Sequence, residues 1–208
     1  MIAIVDYGMG NLRSVEKALH KLGHAAEVTS DAEVIRRAER VILPGVGAFG
    51  AAMANLAQAG DGAEPLSQTV LEAVQSGKPL FGICLGMQLL LTESEELGRH
   101  RGLDVVPGQV LRFQPNGDPT LKIPHMGWNR LSFPRETPLM AGLEDGVQVY
   151  FVHSFYCRPD DESVAAATCT HGQTFCAALA RENVFAVQFH PEKSGAAGLR
   201  ILDNFARL

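Results

Sequence analysis

The chain opens on four consecutive apolar residues, Ile2 to Val5, and then changes period: Leu12, Val15, Leu19 and Leu22 recur every three or four residues across Asn11 to Leu22. A short continuous apolar run suits a strand buried on both faces, whereas the second spacing is one buried stripe of a helix. Gly23 supplies the residue that ends such a helix. The alternation continues. His24 to Thr29 predicts a second strand, Asp31 to Arg37 a short helix with Asp31 as its N-cap, and Arg40 to Leu43 a third strand that stops at Pro44. Helical spacing returns over Phe49 to Ala57 and Glu64 to Ser76, Lys78 to Cys84 predicts a fourth strand, and Leu85 to Thr92 a helix after it. Strands alternating with helices in this way predict an α/β fold with a doubly wound, mostly parallel central sheet.

From Leu103 onward the pattern becomes β-rich. Leu103 to Phe113, Trp128 to Phe133, Val147 to Phe155, Val164 to Thr170, Thr174 to Arg181 and Val184 to Phe189 read as strands, with hairpin turns at His171-Gly172 and Glu182-Asn183. An antiparallel section is therefore added to the parallel core. Gln114 to Pro119 is the most loop-like stretch and is too short to link two domains, so residues 1–208 are read as one domain. Ser194 to Leu208 closes the chain as a helix, with Ser194 as N-cap and Leu199, Leu202 and Phe205 on its apolar stripe.

Composition narrows the function classes. With 46% hydrophobic and 20% charged residues the 208-residue chain resembles a globular protein, and neither a disordered nor a fibrous reading fits. Eighteen basic against 23 acidic side chains leave a net charge of −5, which offers no footprint for nucleic acid. The start lacks a basic n-region and no apolar run reaches membrane-spanning length, which predicts no membrane partner and a cytoplasmic location. Cys84, Cys157, Cys169 and Cys176 show no CxxC spacing, so neither a disulfide framework nor a zinc site is expected, and no metal is assigned.

One cysteine stands apart. Gly82-Ile83-Cys84-Leu85-Gly86 lies between a predicted buried strand and a predicted helix, the context of a nucleophile elbow in which small neighbours admit close backbone approach. There the sulfur would face the free N–H groups of a helix start, which favour thiolate. The other three cysteines sit inside strand-like runs and read as structural. A thiolate needs a base, and the base an orienting acceptor. His190-Pro191-Glu192 offers both, because residues two apart in an extended segment point the same way and Pro191 favours extension at His190. His20, His24, His100 and His171 read as solvent-exposed. Gly8-Met9-Gly10 follows the first strand, but the dinucleotide fingerprint needs a small residue where Arg13 stands, and no cofactor is expected.

Cys84 in its elbow followed about a hundred residues later by His190-Pro191-Glu192 resembles the class I (triad) glutamine amidotransferases, which hydrolyse the amide of glutamine and pass ammonia to a synthase. Leu43 to Phe49 looks like that family's oxyanion strand, Gly86-Met87-Gln88 like the start of its glutamine pocket, and Val152 to Phe155 like the strand that lines it. The resemblance implies a triad of Cys84, His190 and Glu192, oxyanion donors near Val46, Gly47 and Leu85, and a glutamine pocket of Gln88, Glu96, Ser154 and Phe155. Glu93 and Glu95 stay open as alternatives to Glu96. Within the family the finer likeness rests on Asp6 to Leu12, Pro44 to Phe49, Pro124 to Asn129 and His190 to Ser194, and it spans the chain. It is to members that hand ammonia to a (β/α)8-barrel cyclase in histidine biosynthesis. It implies that partner, with Asn11, Trp128 and Lys193 near the interface. Within that span Arg112 to Leu121 is not aligned with the family's pattern in length and composition and is given no part in catalysis. Another class I amidotransferase, or a free-standing thiol amidohydrolase of the same fold, would carry the same triad, whereas a purely binding subunit would be expected to have lost a member of it.

Overall fold

Alternate residues of the first strand face opposite ways, and the two faces build separate cores. In a computed structural model that describes residues 1–58, 64–115 and 121–208, the first half contains β1 (Ile2–Val5), α1 (Leu12–Lys21), β2 (Ala26–Thr29), α2 (Ala32–Arg37), β3 (Arg40–Gly45), α3 (Phe49–Gln58), α4 (Leu66–Gln75), β4 (Leu80–Cys84) and α5 (Leu85–Leu89). The second half contains β5 (Leu91–Ser94), β6 (His100–Arg101), β7 (Val106–Arg112), β8 (His125–Arg130), β9 (Gln148–His153), β10 (Phe155–Pro159), β11 (Ala165–His171), β12 (Gln173–Arg181), β13 (Val184–Val187) and α6 (Gly195–Ala206). Ile2 and Ile4 pack with Val15 and Leu19 of α1 and with Ile201, Leu202 and Phe205 of α6. Ala3 and Val5 pack on the other side with Ile35 of α2, Leu56 of α3 and Val70 of α4. Helices thus cover both faces of the sheet, as a doubly wound parallel sheet requires.

Strand order is β2-β1-β3-β4-β13-β12-β10-β7-β5-β6, with β11 beside β12 and β8-β9 as a separate two-stranded ribbon. Neighbours from β2 to β13 pair in parallel, and β12, β10 and β7 continue antiparallel. The predicted parallel core with its antiparallel addition is therefore present. The carboxyl ends of β3, β4 and β13 lie side by side at one edge, the position at which open α/β sheets hold ligands.

Local signals agree where chemistry is specific. Gly23 adopts φ +84° at the end of α1, and the Asp31 carboxylate accepts from the N–H groups of Glu33 and Val34 at 2.7 and 3.3 Å. Three expectations need correction. Leu85 to Thr92 is not one helix: α5 ends at Leu89 and β5 begins at Leu91, because the Leu89 and Leu90 carbonyls accept from the N–H groups of Leu103 and Val105 while β5 pairs with β7. A wholly buried leucine run suits strand and helix equally, and sheet pairing decides. Val147 to Phe155 is two strands that part at Ser154, β9 joining β8 and β10 joining β7 and β12. Ser194 precedes α6 but makes no side-chain cap; its hydroxyl is engaged nearer the sheet, as set out below. Of the loop-like stretch Gln114 to Pro119, residues 116–119 lie outside the described residues. Among the described residues no helix is long and apolar enough to cross a membrane.

Candidate active site

Cys84 ends β4 in a backbone conformation that L-residues rarely adopt, φ +56° and ψ −109°, and Leu85 begins α5 directly after it. Such a conformation costs about 1 to 3 kcal/mol and persists only where its surroundings impose it. Here space imposes it. A Cβ on Gly86 would stand 1.8 Å from the carbonyl oxygen of Leu43, and one on Gly82 would stand 3.0 Å from the Gly86 backbone. Both glycines are required by close approach of β3 and α5 to β4, and the turn delivers the sulfur to the edge of the sheet.

Sheet register brings its neighbours. Gly45 of β3 pairs with Cys84, and Val187 of β13 pairs with Ile83, so the chain leaving β13 passes the cysteine and reaches His190 two residues after Gln188. Nδ1 of His190 lies 2.9 Å from Oε1 of Glu192, with both side chains almost wholly buried. Asn11 donates to that same carboxylate oxygen at 3.2 Å. Burial disfavours the imidazolium, but hydrogen bonding to Cys84 and to Glu192 outweighs it and raises His190 from 6.5 to about 9. The Ser194 hydroxyl donates to the His190 carbonyl at 2.6 Å and accepts from the Tyr150 N–H at 2.9 Å, while the His190 N–H donates to the Tyr150 carbonyl at 3.0 Å. That explains the absent helix cap: Ser194 fastens the histidine loop to β9.

A cleft of about 380 Å³ opens over the sulfur, and Cys84, His190, the three predicted oxyanion residues Val46, Gly47 and Leu85, and the four predicted pocket residues Gln88, Glu96, Ser154 and Phe155 all line it. The three glutamates separate. Glu93 is held by Arg99 and Gln109, and Glu95 accepts from the Arg112 N–H. Glu96 alone of the three reaches the cleft, where its Oε2 accepts from the Phe49 N–H at 2.7 Å at the start of α3. A larger hollow of about 790 Å³ between Phe133 and Leu143 contains no cysteine or histidine, and a cavity's size says less about chemistry than the groups converging on it.

A family model described as glutamine amidotransferase class-I matches residues 3–208. The chain belongs to the class-I glutamine amidotransferases. It is 55% identical to imidazole glycerol phosphate synthase subunit HisH of Geobacter sulfurreducens over 100% of this chain and 98% of that one. It is also 55% identical to the HisH subunit of Syntrophotalea carbinolica over 99% and 98% of the two chains. A solved glutamine amidotransferase, 21% identical, superposes with a TM-score of 0.74 over the whole of both chains, a likeness that shows the fold.

Two residues beside Cys84 were assigned no part in the site from the sequence, Tyr7 entering only as one position of the Asp6 to Leu12 motif. Tyr7 is buried behind Cys84 and its hydroxyl donates to the Pro44 carbonyl at 2.8 Å; burial, then the nearby cysteine, push it well above the usual phenol range. Gln188 is fully buried beside Cys84. Of the predicted interface residues, Asn11 touches Glu192, Lys193 is exposed next to it, and Trp128 is 54% exposed with its ring edge near Gly195. The other cysteines are buried, as expected of structural thiols, and burial pushes Cys169 and Cys176 up to about 12 and Cys157 higher than its ordinary range. Of the histidines read as exposed, only His20 is. His24 pairs with Asp203 at 2.7 Å, His100 covers Gly50, and His171 stacks on His125 with ring centres 4.1 Å apart, because folding supplies partners that sequence position does not reveal.

Proposed function

We propose that this chain is the glutaminase subunit of imidazole glycerol phosphate synthase. It hydrolyses glutamine to glutamate and ammonia, and the ammonia passes to a (β/α)8-barrel cyclase subunit that forms imidazole glycerol phosphate and aminoimidazole carboxamide ribonucleotide in histidine biosynthesis. The observation that carries the chemistry is the meeting, in one cleft, of Cys84 at its strained elbow with His190 held by Glu192. Full-length likeness to subunits bearing that name supports the finer assignment.

The Cys84 thiolate attacks the amide carbon of glutamine, and the oxygen takes up the negative charge. Backbone N–H groups at Val46, Gly47 and Leu85 stabilise that oxyanion. His190, an imidazolium over most of the neutral range, gives its proton to the departing ammonia and then takes one from the water that cleaves the thioester. Glu192 accepts from Nδ1 throughout and keeps Nε2 turned to the reaction. Glu96 pairs with the α-ammonium of glutamine, its position set by the bond to Phe49. Asn11, Trp128 and Lys193 face the cyclase, beside the exposed Met126. No metal and no cofactor enters this reaction scheme.

Cys84→Ser in complex with the cyclase tests the division of labour. Glutamine-dependent synthesis should vanish while synthesis from added ammonium salt persists. Loss of both in a folded complex, or glutaminase activity that survives the substitution, would overturn it. Glutamate release by the chain alone and with the cyclase separates a coupled subunit from a free-standing amidohydrolase, which needs no partner for full rate.

A further inference from the structure

Gln188 is 0% exposed, polar at its tip, and used by none of the steps above. Register places it there: Val187 pairs with Ile83 in the parallel β4–β13 ladder, so the next residue along each strand, Gln188 and Cys84, emerge side by side. Its Nε2 lies 3.8 Å from Sγ of Cys84, and its Oε1 lies 3.0 Å from Nε2 of Gln88.

Which end of the amide meets the sulfur is settled by a backbone carbonyl. The Phe155 carbonyl accepts from Nε2 of Gln88 at 3.1 Å and from Nδ1 of His153 at 2.8 Å. A carbonyl oxygen only accepts, so the Gln88 atom facing it is the NH2 group. That group also faces Gln188, which must present its oxygen and turn its own NH2 toward Cys84. His153 cannot upset the order. Burial holds it at about 3 and His125 at about 4, so both are neutral, and His125 Nδ1 lies 2.9 Å from His153 Nε2. With Nδ1 of His153 donating to Phe155, its Nε2 accepts and His125 donates.

We propose that Gln188 is a further catalytic residue of the glutaminase: a fixed N–H donor to Sγ of Cys84, oriented through Gln88 by the carbonyl of the pocket residue Phe155. The donor favours the thiolate before attack. It acts again when the thioester is cleaved, as the C–S bond breaks and its electron pair returns to sulfur. The assignment rests on Cys84 being the nucleophile.

The test uses two variants of the full chain with its cyclase. Gln188→Met keeps the length and approximate volume of the side chain but has no N–H to give to sulfur. Gln188→Leu removes both polar ends and changes the shape. A donor role predicts that both variants lower glutaminase kcat about 10- to 100-fold, the worth of a hydrogen bond to a charged group. It also predicts a fall of about ten-fold in the rate of iodoacetamide alkylation of Cys84 near neutral pH. A packing role predicts Gln188→Met close to the parent enzyme and only Gln188→Leu impaired. Synthesis from ammonium salt and the melting temperature certify folding; if Gln188→Leu fails there, Gln188→Met decides. Parent-like alkylation and kcat in a folded Gln188→Met overturn the proposal, whereas glutaminase activity surviving in Cys84→Ser would instead remove the reading beneath it.

Discussion

Glu192→Gln separates the charge of the carboxylate from its shape. Oε1 lies 2.9 Å from Nδ1 of His190 and the Glu192 side chain is 1% exposed, so water screens the pair little. A charge-assisted hydrogen bond of this kind is worth about 1.5 to 3 kcal/mol, or about one to two pH units on the imidazole. His190 stands at about 9 against an ordinary 6.5, so the variant is expected to titrate at about 7 to 8. In the proposed mechanism the imidazolium protonates the departing ammonia, so kcat/KM should fall on the alkaline side as His190 loses its proton. Glutamate release measured over about pH 6 to 10 should place that limb near 9 in the parent and one to two units lower in the variant. Stability follows the same group. Its folded value lies above the unfolded one, so its contribution, about 3 kcal/mol, is full below about pH 6.5 and is lost as the pH rises through about 9. Urea midpoints should therefore decline across that window, and less so in the variant. Coincident alkaline limbs in the two proteins would refute the role given to Glu192.

Gly86→Ala sets a Cβ 1.8 Å from the Leu43 carbonyl oxygen; relief requires backbone movement that costs about 1 to 3 kcal/mol or more, so the melting temperature should fall by about 5 °C and glutaminase activity with it, and an unchanged melt would refute the close-approach account of the elbow. Glu96→Gln retains an acceptor for the Phe49 N–H but loses the charge proposed to pair with the substrate ammonium, so KM for glutamine should rise about 10- to 100-fold with kcat nearly unchanged. Steady-state kinetics that show a kcat defect alone would move Glu96 out of the pocket.

Legibility in the sequence followed the range of the interactions. Asp31, Gly23 and the two elbow glycines act on neighbours within a few residues or through simple exclusion of a side chain, and their parts could be read from local pattern. The same held for His190 and Glu192, two apart in an extended segment. The placement of Tyr7 and Gln188 beside Cys84 could not be read for the opposite reason. Tyr7 reads as an ordinary strand-end aromatic until β3 lies beside it, and Gln188 as one polar residue in an apolar run until β13 slots against β4. The leucine run at 89–91 misled because an all-buried segment carries no period, and the break at Ser154 because β9 and β10 are consecutive in the chain but belong to different sheets. Likewise, choosing Glu96 over Glu93 and Glu95 required knowing which of them Arg99, Gln109 and Arg112 engage.

The position of β13 explains why the site needs both halves of the chain. It is the last strand to form in sequence, yet it pairs in parallel with β4 and antiparallel with β12, so it joins the parallel core to the antiparallel section. Any strand placed next to β4 with the same direction must end at the same edge, and the residues that follow it must pass Cys84. The antiparallel section thus sets the direction from which β13 arrives, and the parallel core sets where it stops. Once past β4, the chain is held by Ser194 and the Tyr150 backbone of β9, in the ribbon that also carries Trp128 and Met126 on its exposed side. The proposed base, His190, is therefore fixed to the element that presents the proposed interface, while the proposed nucleophile, Cys84, is fixed to the core. The Tyr150 and Ser194 bonds tie the histidine loop to the β8-β9 ribbon, and Asn11, just ahead of α1, holds Glu192 from the other side of the chain. Cys84 is held separately, by the close approach of β3 and α5 to β4 at Gly82 and Gly86.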